Sequence, residues 1–431
     1  MAKPKGVRER IESGAEKSPA PSVYFRTGST MLDLACGGGR GKMGLKGGVL
    51  TRIVAVNSGG KSSLATEMLA NNIQRPPAPG FWHEYLDREY RFAFDTKGVY
   101  GVDMNVRKED CPRTIEELSA HLGTKLKAAK GPGILVIDSL EAFSSEETED
   151  RAAERESQYA KGKDIVLDGS YTAKTGAASL LSETLRITLA DALETNSLIV
   201  TLSQIRVNLD GGKFAPKTKK IGGAALEHLV DTELWLKPIK YLTVGDKKDQ
   251  TERTIGLVGK AGVEKGTQDR PYRDCLYTVL YGYGVDNIGD MIDYLFDLRD
   301  PKTGGLWNPG RTGCVDSIES PILCNWAGTV KDLDTVAAWL TAEDRIEDCR
   351  RDAKAEKKQI RISFLDEWIS RDPELHAAYV LEFPVYTRSQ LIKAVEDDTE
   401  MREELERRVI AKWESVEAEA SASITSRRKK F

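Results

Sequence analysis

Between residues 25 and 300, short runs of β-branched and apolar residues alternate with longer stretches whose apolar positions recur every three or four residues. Ile53–Val56, 81–87, Gly133–Asp138 and Ser197–Gln204 read as strands, and the last two are apolar almost throughout, as strands covered on both faces are. A helix after the first strand carries Leu64, Met68 and Leu69 on one side. A second spans 114–129 with Ile115, Leu118 and Leu122, and a third spans 177–194 with Leu181, Leu185, Leu189 and Leu193. Thr232–Leu236, Thr254–Val258 and Cys275–Leu280 read as further strands, and a Ser/Thr cap before Met31 and Leu32 marks a short helix start. Strand–helix alternation of this kind predicts a wound α/β fold with a mainly parallel, twisted sheet flanked by helices. Polar stretches at 141–175 and 206–223 predict long loops, and the glycine-rich 37–48 predicts a flexible connector. A polar, basic arm at 1–24, a core at 25–300 and a mainly helical region at 301–431 complete the plan; Leu391, Val395, Leu405, Val409 and Trp413 form a helical stripe in the last.

Composition narrows the class. With 40% apolar and 30% charged residues, the chain has ample core for a globular protein, and its net charge of −4 carries no general attraction for nucleic acid. Nucleic-acid binding would have to come from local patches. The six cysteines are scattered without a CxxC pair, which predicts reduced thiols rather than a disulfide frame or zinc site, and four histidines make a His-based metal cluster an unfavoured reading. No apolar run reaches the ~18 residues a membrane span needs, so the expected setting is cytoplasmic, a host's cytoplasm if the chain is phage-encoded.

The candidate chemistry begins at NSGGKSS, which follows the first strand and opens the first helix. A phosphate-binding loop there would use the backbone of Asn57, Ser58, Gly59 and Gly60, the charge of Lys61, and the hydroxyls of Ser62 and Ser63. The helix would add its positive dipole end beneath the same anion. The full pattern is GxxxxGK[ST], and Ala55 occupies its first glycine. Three readings stand at this point: a nucleotide site, an ordinary strand–turn–helix corner, and a degenerate loop that hydrolyses nothing. Strand ends carry the rest. Asp138 could hold Mg²⁺ beside Ser62, Glu89 could deprotonate a water, and Gln204 could contact a terminal phosphate and move when it leaves. Taken singly, each acid is as well explained by a solvated loop or a helix cap; together, at strand ends of one sheet, they suit ATP hydrolysis.

GSTMLDLACGGG, GLKGG, RIV, the phosphate loop, YLDREY, ILVIDSLEA, LIVTLSQIRVN and GGAALEHLVDTELWL follow one another in an order and spacing that resembles the RecA family, over roughly residues 25–300. LSQIRVN and GGAALEHLVDTELWL are the parts that separate RecA from other phosphate-loop ATPases. The resemblance is distant, and the long inserts look like those of a bacteriophage recombinase. It implies ATP and Mg²⁺ as cofactors, Lys61 and Ser62 as phosphate-loop lysine and metal ligand, Asp138 as a second metal ligand, Glu89 as catalytic base and Gln204 as the sensor coupling nucleotide to DNA. Two DNA-binding loops are implied near 150–175 and 206–223: Tyr171 and Lys174 in the first, and Arg206, Asn208, Lys213, Lys217, Lys219, Lys220, Gly222 and Gly223 in the second. The second has no acid among residues 213–220, so it can neutralise phosphates without reading sequence. Lys260 and Lys265 lie near where the family carries cations that act on a neighbour's nucleotide.

The chain departs from the family in four places. Ala55 replaces a glycine, the arm lacks a clear docking helix and strand, Thr96 with nearby Tyr100 stands where the family stacks adenine on tyrosine, and the C-terminal hundred residues show no likeness. The resemblance implies an ATP-dependent recombination protein that forms oligomers or filaments on single-stranded DNA and pairs it with duplex. Its implied partners are both DNA forms, further copies of the chain and a loading or single-strand-binding protein, with no membrane. The rivals are a ring helicase or branch-migration motor and a non-hydrolysing DNA-binding paralogue.

Overall fold

The computed structural model describes residues 22–39, 41–161, 171–207, 218–220, 223–246, 248–266, 272–307, 314–315, 323–325, 333–382 and 385–427. The chain divides into two compact units, Met1–Asn287 and Ile288–Phe431.

A ten-stranded sheet organises the first unit. In chain order its strands are β1 (Leu50–Ala55), β2 (Trp82–Asp87), β3 (Val106–Arg107), β4 (Gly133–Asp138), β5 (Leu198–Val207), β6 (Thr218–Lys220), β7 (Thr232–Val244), β8 (Arg253–Lys265), β9 (Asp274–Leu280) and β10 (Gly284–Val285). Across the sheet they run β10-β9-β8-β7-β1-β5-β4-β2-β3, with β6 paired to the end of β5. Pairing is parallel from β3 through β7 and antiparallel from β7 to β10. The parallel strands sit at the centre. Every residue of β1 is buried, and β4 is buried up to Val136 and Ile137 with only Asp138 half-exposed at its end, the arrangement expected where helices cover both faces.

The helices are α1 (Thr30–Gly37), α2 (Lys61–Gln74), α3 (Thr96–Tyr100), α4 (Ile115–Ala128), α5 (Glu146–Ala160), α6 (Tyr171–Thr195) and α7 (Gly223–Leu229). Local chemistry explains their limits. Ser29 caps α1 by accepting the Leu32 amide. Thr114 caps α4 by accepting the Glu117 amide, with Glu116 and Glu117 in the first turn and Lys125 and Lys127 in the last, each charge placed to complement the helix dipole. Ile115, Leu118, Leu122 and Leu126 then fall on one buried face. Leu118, Leu122 and Leu126 join Leu135, Ile137, Leu185 and Ile199 in one core cluster.

Two expected loops are corrected. The stretch 141–175 contains α5 and the start of α6, with 162–170 outside the described residues. Helix α5 has a full set of start signals: Ser145 accepts the Thr148 amide, and Glu146, Glu147 and Glu149 occupy the first turn. None of its residues is buried, so it shows no apolar stripe for periodicity to find. Within 206–223, β5 runs on to Val207, β6 folds back against it, and α7 begins at Gly223. Residues 208–217 and 221–222 lie outside the description.

The second unit is mainly helical. Helices at Leu333–Ala342, Ile346–Ala355, Ile362–Ile369 and Pro373–Glu382 close around Leu340, Cys349, Leu365 and Ile369. Leu391, Val395, Leu405, Val409 and Trp413 are buried in the helices Arg388–Asp397 and Thr399–Arg427, as their stripe predicts. Asp293 is almost wholly buried between Arg299 and Arg388, with Arg388 Nε donating at 2.6 Å. Among the described residues, no helix is long and apolar enough to cross a membrane.

Candidate active site

The register of the parallel strands assembles the predicted groups. Ala55 at the end of β1 lies opposite Gln204 on β5, Asp138 on β4 lies opposite Leu202 on β5, and Asp87 on β2 lies opposite Asp138. The phosphate loop, Gln204, Asp138 and the Asp87–Glu89 turn therefore share the carboxyl edge of four adjacent strands, where an open α/β sheet binds its ligands.

The loop turns through two left-handed residues, Ser58 (φ 57°) and Gly60 (φ 85°). Gly60 is the N-cap residue of α2 and no side chain caps the helix, so its first amides face the loop without a side-chain partner. This is the arrangement an anion completes. Ala55 is accommodated by Gly59: a Cβ added at Gly59 would stand 2.8 Å from the Ala55 methyl. The methyl group that replaces the usual glycine fits because residue 59 has no side chain. Lys61 Nζ lies 3.4 Å from the Ala55 carbonyl oxygen and 3.3 Å from that of Val56. Burial lowers its pKa, while Asp138 and Glu89 oppose that effect.

Ser62 Oγ donates to Asp138 Oδ2 at 3.1 Å, and the Tyr85 hydroxyl donates to the same oxygen at 2.6 Å. Burial raises the Asp138 pKa, the Tyr85 bond works against it, and Glu89 adds repulsion. A hydroxyl beside a carboxylate is a hard-oxygen set suited to Mg²⁺, which commonly takes one or two protein oxygens and completes its shell with water and substrate phosphate. Among the described residues, no group of three or more His, Cys, Asp or Glu could hold a metal by itself. Glu89 Oε1 accepts from Ser139 Oγ at 3.0 Å and from Gln204 Nε2 at 3.5 Å. The turn carrying Glu89 is held by its own amide and that of Arg88, both donating to the Asp138 carbonyl.

Several contributors were missed by sequence reasoning. Tyr85 sits two residues before Asp87, so strand alternation places both on one face, and that period was the available signal. Beneath the site, Arg52 Nε donates to Ser203 Oγ at 3.0 Å and Ser203 Oγ donates to Glu141 Oε1 at 2.7 Å, bracing β1, β5 and the turn after β4. Beside the loop, a cavity of about 140 Å³ is lined by Ser63, Phe94, Tyr100, Val279, Tyr281 and Tyr283. Tyr277 on β9 ties this wall to the loop, its hydroxyl donating to the Gly59 carbonyl at 3.2 Å. Thr96 starts α3, and Tyr100 ends it at the cavity.

The other predicted positions are spread over the first unit. Tyr171 and Lys174 lie in the first turn of α6. Arg206 pairs with Lys219, and Ile205 with Lys220, in the β5–β6 hairpin, and Gly223 opens α7. Asn208, Lys213, Lys217 and Gly222 lie outside the described residues. Lys260 pairs with Asp274 at 2.5 Å, and Lys265 Nζ donates to the Glu227 carbonyl at 2.7 Å.

The chain is 25% identical to Protein RecA of Acinetobacter baylyi over 281 residues, 65% of this chain and 71% of that protein. It is 26% identical to Protein RecA of Azoarcus sp. over 303 residues, 70% of this chain and 78% of that one. The chain is a distant relative of the RecA family. A third such protein, Protein RecA of Leifsonia xyli subsp. xyli, is 27% identical over 289 residues, 67% of this chain and 72% of its own length. No protein-family model matches the chain. The RecA-like core accounts for the central sheet and its flanking helices, the fold expected from the sequence.

Proposed function

We propose that this RecA relative is a DNA-dependent ATPase of homologous recombination, which assembles on single-stranded DNA, pairs it with duplex and exchanges strands. The supporting observation is the strand register that sets Lys61, Ser62, Asp138, Glu89 and Gln204 along one sheet edge, on a strand that continues directly into the Arg206–Lys219 hairpin. Lys61 and the uncapped amides of α2 bind the triphosphate, and the aromatic cavity takes the base. Ser62 and Asp138 are the residues that would hold Mg²⁺, which would supply positive charge to offset that of the phosphates. Glu89 takes a proton from water as the water attacks the terminal phosphorus, the bond from that phosphorus to the bridging oxygen breaks, and ADP leaves with inorganic phosphate as the other product. Gln204, bonded to Glu89, changes partner when the terminal phosphate is present or gone. That change travels along β5 into the hairpin, where Arg206, Lys219 and Lys220 belong to the DNA-binding segment. Catalysis on this scheme is mostly positioning and electrostatics. Lys260 and Lys265 act on a neighbour's nucleotide only if they leave their partners within the chain.

The test is ATP turnover with and without single-stranded DNA. The unaltered chain is expected to hydrolyse ATP faster with DNA, and Lys61→Ala to lose turnover. DNA-stimulated turnover surviving in Lys61→Ala would refute the site. Electron microscopy of the chain on DNA with nucleotide reads the assembly: open filaments support the recombinase, and closed rings support a motor.

A further inference from the structure

Three segments that border the base cavity converge on a side chain that no motif marks. Glu67 lies on α2, the helix that opens at the phosphate loop. Its Oε2 accepts the Val285 amide at 3.0 Å, next to the 281–284 turn that forms one wall of the cavity. The Tyr100 phenol, which also lines the cavity, neighbours the same carboxyl, and that charge adds to burial in raising the phenol's pKa. Further along α2, Gln74 Nε2 donates to the Tyr100 carbonyl at 2.7 Å, so the helix holds Tyr100 by its backbone while Glu67 stands beside its phenol. The surroundings are shaped for this carboxyl. A Cβ at Gly28 would lie 2.4 Å from Glu67 Cγ, and one at Gly284 would lie 2.3 Å from Glu67 Oε2 and 2.8 Å from the Tyr100 hydroxyl oxygen. Two separate chain segments thus leave room for one side chain.

We propose that Glu67 is a positioning residue for nucleotide binding, fixing the Tyr100 wall and the 281–284 turn to the helix that binds the phosphates. The inference rests on the nucleotide reading above. Glu67 does not itself touch the nucleotide: it sets the separation between base subsite and phosphate subsite, so that a ligand carrying both groups gains from their fixed spacing. Burial raises the pKa of this carboxyl, with the Val285 amide and the Tyr100 hydroxyl working against that rise. A glutamine oxygen at the same place can still accept the Val285 amide, so an uncharged acceptor of the same shape should keep this tie.

Binding of ATP and of inorganic tripolyphosphate to the full chain, measured by calorimetry, separates this role from general support of the fold. The unaltered chain should bind ATP more tightly than tripolyphosphate. Glu67→Ala should weaken ATP up to about tenfold, the upper end for a lost hydrogen bond, and leave tripolyphosphate affinity unchanged. Glu67→Gln should restore most of the ATP affinity. If Glu67→Ala does not fold, Tyr100→Phe removes only the hydroxyl and should show the same split in milder form. An equal loss for both ligands, or no loss of ATP affinity, overturns the assignment while the nucleotide reading stands. If the unaltered chain fails to distinguish ATP from tripolyphosphate, the base cavity is misread and the role of Glu67 falls with it.

Discussion

The two halves of the sheet contribute to the site in different ways. Strands β1, β4, β5 and β2 are parallel, and β1, β2 and β4 are six residues long and mostly buried. They present chemistry towards their carboxyl ends: Asp138 closes β4, the Glu89 turn follows β2, and Gln204 lies level with the end of β1. Strands β7 and β8 are antiparallel, thirteen residues each, and exposed towards their ends. Their neighbour β9 offers its flank: Tyr277 reaches the loop, and Val279 with the following turn walls the cavity. A buried parallel strand has no free flank, so reacting groups collect at its end. A strand near the sheet's margin has side chains to spare and can line a binding surface. On this view the groups at the parallel strand ends should govern turnover, while the flank of the antiparallel half should add to affinity alongside the phosphate loop.

The largest expected effect is at the parallel edge. Glu89→Gln keeps the shape of the side chain and removes the base, so turnover should fall by roughly 10²–10⁴-fold, the usual worth of general-base catalysis. Nucleotide affinity, measured on the same variant, should change little. A matching loss of affinity would mean that Glu89 binds ligand rather than activating water, and the division between the halves would fail.

Next in size is a stability effect on the same side, away from the chemistry. Glu84 on β2 is fully buried and meets Arg107, His121 at 2.8 Å and Lys125 at 3.9 Å. Burial alone would raise its pKa, but the hydrogen bonds from His121 and Arg107 outweigh it and hold the carboxyl at about 2. With the folded pKa depressed, the stabilisation is complete above the ordinary value of 4.5 and is lost as pH falls from there through about 2. The shift corresponds to about 3 kcal/mol. Glu84→Gln should therefore lower unfolding free energy by about that much at pH 7, and the two denaturation curves should converge towards pH 2. A constant gap across that window would show that packing, not charge, is what Glu84 supplies.

What the sequence disclosed follows the same division. The strand ends were legible because an apolar run that stops at Asp138 or Gln204 is conspicuous, and because strand–loop–helix order placed Lys61 and Ser62. Tyr277, Val279 and Tyr283 were not, since a tyrosine inside an alternating strand looks like any half-buried core residue until its neighbour across the fold is known. Glu67 and Gly28 lie 39 residues apart in sequence and meet only in three dimensions. Helix α5 was read as loop for a different reason: its helix-forming signals are all local, at Ser145 and the first-turn acids, while it buries nothing. Ala55 suggested a weakened loop, and only the 2.8 Å approach at Gly59 shows the exchange that accommodates it.

That exchange makes the third test. Gly59→Ala alone should weaken nucleotide binding by about 1–2 kcal/mol, because overpacking at this separation forces the loop apart. Adding Ala55→Gly should recover most of the loss. The coupling between these two contacting positions is expected within the range of roughly 0.5–3 kcal/mol found for neighbours. Additive losses would mean that the two positions do not compensate each other, and that the altered loop tolerates Ala55 for another reason.

The smallest effect tests the antiparallel half most directly. Tyr277→Phe removes one hydroxyl from a fully buried ring and with it the 3.2 Å contact with the Gly59 carbonyl. The ring stays, so the core should keep its packing. A neutral hydrogen bond of this kind contributes about 1 kcal/mol, which corresponds to a severalfold weaker nucleotide affinity. No atom of Tyr277 belongs to the group that activates water, so the loss should appear in KM with kcat unchanged, the signature of an interaction made equally with bound substrate and transition state. If kcat falls instead, the Gly59 carbonyl must be held in place for the chemical step itself. The flank of β9 would then be part of the reacting edge, and the contrast between the two halves of the sheet would be lost.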